Sequence, residues 1–118
     1  MNKSFLILCG LAVLTFACSR KVSSSGTGKY KGPKVSYAAT VKPLIEKSCA
    51  PCHIPSKGGN KADFDSYDAS KKWIGDMITR VHLDPTDKKF MPFQSKKPPL
   101  TAEEIAILEN WQKSGLGE

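Results

Sequence analysis

The pentapeptide CAPCH, residues 49–53, sets two thiols three positions apart and places an imidazole directly against the second. A fold that keeps this motif has to let Cys49, Cys52 and His53 act on one object, because at helical spacing positions i, i+3 and i+4 share a face. That object can be a disulfide partner, a metal ion or a prosthetic group. The rest of the chain has to choose among them.

With 118 residues the chain has room for one domain. Residues 1–17 read as a signal peptide: Lys3 precedes the apolar run FLILCGLAVLTFA, and polar residues follow. That run falls well short of the roughly 20 residues a membrane-spanning helix needs. The stretch LTFACS resembles the lipobox of bacterial lipoproteins, with a small residue before the Cys that becomes the lipidated first residue, here Cys18. Thr15 occupies the usual aliphatic position and Leu14 stands one place further back, so cleavage after Ala17 that leaves a free thiol is the alternative. Lipidation by more than one acyl chain gives a stable anchor. The chain is thus expected in the periplasm, tethered to a bacterial membrane by its N-terminus.

Residues 18–34 are rich in Ser, Gly and Lys and read as a flexible tether. Its sixteen residues after Cys18 span about 22 Å r.m.s.. The folded domain is expected over residues 35–118. Of the four cysteines, Cys9 leaves with the signal peptide and Cys18 takes lipid, so only Cys49 and Cys52 remain for chemistry. The net charge of +7 favours negatively charged partners or surfaces. Export and the lack of a recognition motif argue against nucleic acid.

Strand alternation is hard to find in residues 35–118, and three helical patterns stand out. In the first, Val41, Leu44, Ile45, Cys49 and Cys52 recur at intervals of three and four, and Thr40 as N-cap would make Pro43 tolerable. The second carries Trp73, Ile74, Met77, Ile78 and Val81 on one stripe, with Ser66 or Ser70 as cap. The third opens on the capping box of Thr101 and Glu104, buries Ile105, Leu108 and Trp111, and closes at Gly115 with Leu116 reaching Trp111. Two long loops separate the helices. So small a helical unit has a meagre core and calls for a staple or a cofactor.

Against that need, C-x-x-C-H is the attachment signature of c-type haem: the thiols add to the two vinyl groups and the imidazole reaches the iron. Three rivals stay open. A thioredoxin-like dithiol belongs at a strand-to-helix junction. A zinc site would need four ligands, such as both thiolates with His53 and His82. A plain disulfide is the third. For a haem that carries electrons, Met91 in FMPF is the candidate sixth ligand, stiffened by Pro92, and His82 is the alternative.

These features resemble the class I, His/Met c-type cytochromes in their small bacterial monohaem form. The resemblance covers residues 35–117: CAPCH after a helix, Met-Pro 38 residues beyond His53, the Thr-Ala-Glu-Glu cap, and Leu108 with Trp111. It implies an all-α cytochrome c fold, with three or more helices and long loops around one covalent haem c. Cys49 and Cys52 would be its thioether attachments, with His53 and Met91 as axial ligands. It further implies a monomer that transfers single electrons without transforming a substrate. Lys57, Lys61, Lys88, Lys89, Lys96 and Lys97 are candidates to steer it onto an acidic-surfaced redox protein. The chain departs from the family at Val41 and Ile45, where relatives often have Gly and an aromatic residue, and at Asp65, where many have Pro. The acceptor that orients His53 is therefore unassigned, and Trp73 and Tyr67 are candidate donors to a haem propionate.

Overall fold

A computed structural model describes residues 29–118 of the chain. The expected signal peptide, Cys18 and the tether up to residue 28 lie outside the described residues. Among the described residues the regular elements are helical and no strand occurs, so this part of the chain is all-α. Three α-helices follow one another: α1 Lys42–Cys49, α2 Tyr67–Val81 and α3 Ala102–Lys113. None of them is long and apolar enough to cross a membrane.

The start of α1 differs from the expectation. A widened turn, Tyr37–Val41, leads into it, capped by Ser36 rather than Thr40: Ser36 Oγ accepts from Ala39 N at 3.3 Å. In a regular helix the Pro43 ring would clash with the carbonyl four residues back, and the wider spacing relieves that clash. The other end also departs from the expected face. α1 stops at Cys49 because Pro51 disfavours a helical Ala50, which sits at φ −76°, ψ 153°. The remaining residues of CAPCH form a turn, in which His53 N still donates to Cys49 O at 3.1 Å.

Of the two serines proposed as caps of α2, Ser66 does so, accepting from Ala69 N at 3.2 Å. Ser70 is buried inside the helix, and its hydroxyl donates to Phe64 O at 2.9 Å. α3 carries the capping box in full. It ends in a Schellman turn, with Gly115 at φ 96° and Leu116 N donating to Trp111 O at 3.0 Å.

The core gathers Val41 and Ile45 at the N-terminal helical segment, Ile74 and Met77 on α2, and Leu108 and Trp111 on α3. Full burial of such a side chain contributes about 1.5–3 kcal/mol. Three aromatic rings join the elements. Tyr37 lies 5.5 Å from both Trp111 and Tyr67, and Tyr67 is edge-on to Trp111 at 6.2 Å. The chain end is drawn over this cluster, since Gly117 O accepts from Trp111 Nε1 at 2.8 Å and from Tyr37 N at 3.0 Å. Ser36 Oγ adds a bond to Glu118 O at 3.0 Å. Within the segment read as tether, Tyr30 donates to Asn110 Oδ1 on α3 at 2.8 Å.

Both long loops are ordered by their own polar groups. In the first, Lys61 N returns to Cys52 O at 3.0 Å and Phe64 N to His53 O at 2.9 Å. In the second, Asp84 and Asp87 close Asx turns onto Thr86 N and Lys89 N, and Met91 N bonds Arg80 O at 3.2 Å.

Candidate functional site

The end of α1, the loop after it, one face of α2 and the second loop enclose a cleft of about 880 Å³. Sites for small molecules and cofactors run from about 300 to 1,000 Å³ and are mostly apolar with a few placed polar groups. This cleft fits that description, with Leu44, Ile45, Phe64, Met77, Val81 and Leu108 among its lining residues. Cys49, Cys52, His53 and Met91 all line it too. Residues 38 positions apart in the chain thus meet at one cavity.

His53 is held from two sides. Its Nδ1 lies 2.7 Å from Ala62 O, and since a carbonyl only accepts, Nδ1 carries a proton, which in the neutral ring leaves the lone pair on Nε2. This is how proteins set the tautomer and direction of a ligating imidazole. The ring also stacks on Phe64, centroid to centroid 4.3 Å and only 3° from parallel. The path of the loop produces both contacts. Its return bonds to Cys52 O and His53 O carry Ala62 and Phe64 to the ring, and Gly59 lets the backbones meet. A Cβ at Gly59 would run into the carbonyl oxygens of Pro51 and Cys52.

The two thiols differ. Cys52 is exposed and Cys49 half-buried. Burial pushes the Cys49 thiol up to about 11, against a smaller opposing pull from the Lys97 charge. Hence very little of it is thiolate near neutrality, the reverse of what an exchange-active Cys-x-x-Cys requires. No group of three His, Cys, Asp or Glu side chains among the described residues is arranged to hold a bare metal ion.

Met91 is half-buried between buried Phe90 and Pro92, and its amide is tied to α2. His82 is placed elsewhere: it caps α2, is exposed, and its Nε2 lies 2.8 Å from Glu109 Oε1 on α3. Trp73 lines the cleft, whereas the Tyr67 hydroxyl is committed to Leu116 O at 2.6 Å. Of the six lysines named for steering, Lys61, Lys88, Lys96 and Lys97 line the cleft. Lys57 lies 3.8 Å from Glu46, and Lys89 is exposed away from the lining. Ala62, Phe64, Gly59 and Arg80 escaped the sequence reading. A glycine ten residues after the first motif Cys was the one usable signal.

No family model, no curated protein and no solved structure matches this chain.

Proposed function

We propose that the chain is an exported monohaem c-type cytochrome that passes single electrons between redox partners of a bacterial respiratory or periplasmic chain. One observation carries this reading: Cys49, Cys52, His53 and Met91 line a single apolar cleft, with the His53 tautomer set to leave Nε2 free. When bound, haem c supplies reversible one-electron exchange at its iron.

The chain's own residues have distinct tasks. Cys49 and Cys52 would hold the group covalently, through addition of their thiols to its two vinyl groups. His53 would ligate through Nε2, its basicity raised by the bond from Nδ1–H to Ala62 O. Met91 would supply its thioether to the iron, and such a soft ligand raises the reduction potential. The cofactor would complete the cytochrome c fold suggested by sequence. The apolar lining excludes water and supplies surface that the short helices lack.

Lys61, Lys88, Lys96 and Lys97 beside the cleft would steer the protein onto an acidic-surfaced partner, in an ionic-strength-dependent way. Lipidation at Cys18, with the following tether, would keep a monomer close to a membrane on its periplasmic side.

The decisive measurement is the mass of the mature polypeptide together with a pyridine haemochrome spectrum. Both should report one haem bound through two thioethers. The ferric protein should show the far-red thioether-to-iron band, and Met91→Ala should abolish it. A polypeptide without added haem mass ends the reading. A haem protein that lacks the band and binds carbon monoxide readily when reduced would instead be a ligand sensor or small catalyst with an open sixth site.

A further inference from the structure

Five cations line the cleft, Lys61, Arg80, Lys88, Lys96 and Lys97, against one carboxylate, Asp76. Two of them belong to the motif's surroundings. Lys97 donates from Nζ to Lys47 O and its charge acts on the Cys49 thiol, while Lys61 N is bonded to Cys52 O. Arg80 is linked to Met91 instead. It sits in the last turn of α2, and its carbonyl binds the amide of Met91.

None of the five cations forms an ion pair among the described residues, but Lys61, Lys88 and Lys96 are exposed and Lys97 bonds Lys47 O, so Arg80 stands out. It is half-buried, yet it forms no ion pair among the described residues, even though Asp76 lies one helical turn before it and lines the same cleft. A guanidinium cannot shed its charge, and its planar fork matches a carboxylate with two parallel hydrogen bonds. A partly desolvated arginine at an apolar cavity is therefore best explained by an anionic group of the molecule that fills the cavity. Porphyrin chemistry supplies that anion. The vinyl edge, which Cys49 and Cys52 would hold, lies across the macrocycle from the two propionates.

We propose that Arg80 binds a propionate carboxylate of the cofactor and so fixes the end of the macrocycle remote from the thioethers. This rests on the c-type haem reading above. It assigns a binding role to a residue of α2 that no motif marks.

The test uses the full chain matured with haem, in wild-type, Arg80→Gln, Arg80→Lys and Lys97→Gln forms. Mass spectrometry first establishes covalent haem in each, so a failure of the underlying reading appears before any spectrum is compared. In R80Q the propionate-bending band of the resonance Raman spectrum should shift and the reduction potential should fall. R80K should recover part of the potential, and K97Q should leave the band in place. An unmoved band in haem-loaded R80Q overturns the proposal. If R80Q does not mature, NMR of the ferrous wild type decides. A guanidinium Nε–H that is shifted by the ring current and slow to exchange supports the contact, and one that exchanges freely at an ordinary shift refutes it.

Discussion

At the scale of single residues, the imidazole of His53 is fixed by atoms that carry no side-chain signature of the task. Its acceptor is the carbonyl of an alanine, and its stacking partner is a phenylalanine eleven positions on. CAPCH and Met91 could be singled out from residue type and spacing alone. Ala62 could not, because any residue offers a carbonyl and only the loop's path chooses which one arrives. Gly59 controls that path. Gly59→Ala drives a methyl group against the backbone of Pro51 and Cys52, which has no flexible side chain to give way. A loss of about 1–3 kcal/mol is expected from overpacking of this kind, read from denaturant unfolding. Phe64→Ala removes a buried ring and is expected to cost about 3–5 kcal/mol.

At the scale of elements, α3 was the most legible because its two ends are written in local chemistry: Thr101 and Glu104 at the start, Gly115 at the close. Thr101→Ala should lower stability by about 0.5–2 kcal/mol, measurable as a shift in denaturant midpoint at unchanged slope. Glu104 adds a pH dependence. The Lys47 ammonium, 2.6 Å away, and then the Thr101 amide hold its carboxyl below its ordinary 4.5. A depressed folded-state pKa means the contribution is complete above about pH 4.5 and fades as the pH falls through the lower folded value. Glu104→Gln should therefore flatten the acid limb of the stability curve and lower its neutral plateau by the same small amount, since the Lys47 end of the pair is largely exposed. The start of α1 was less legible. Pro43 and Pro51 announce trouble for a helix, but whether the chain responds by widening, shifting its cap or stopping depends on the packing of Tyr37 and Val41, both buried.

At the scale of the whole molecule, the described residues form three short helices around a cleft whose lining is largely apolar. On the proposed haem reading, a Cys49→Ser, Cys52→Ser double variant should lose most of its helical circular dichroism and its cooperative melt. A sharp, native-like transition in that variant would show that the side chains suffice by themselves. Helix number and motif were readable because both are local. The course of the two long loops was not, since return bonds such as Lys61 to Cys52 and Met91 to Arg80 join positions with no shared pattern. The clasp of Ser36 and Tyr37 onto Glu118 and Gly117 brings the two limits of the folded unit side by side. A few linking residues should be able to weld that seam, and a permuted gene with new ends in the exposed stretch 84–89 should still encode the same three-helix arrangement.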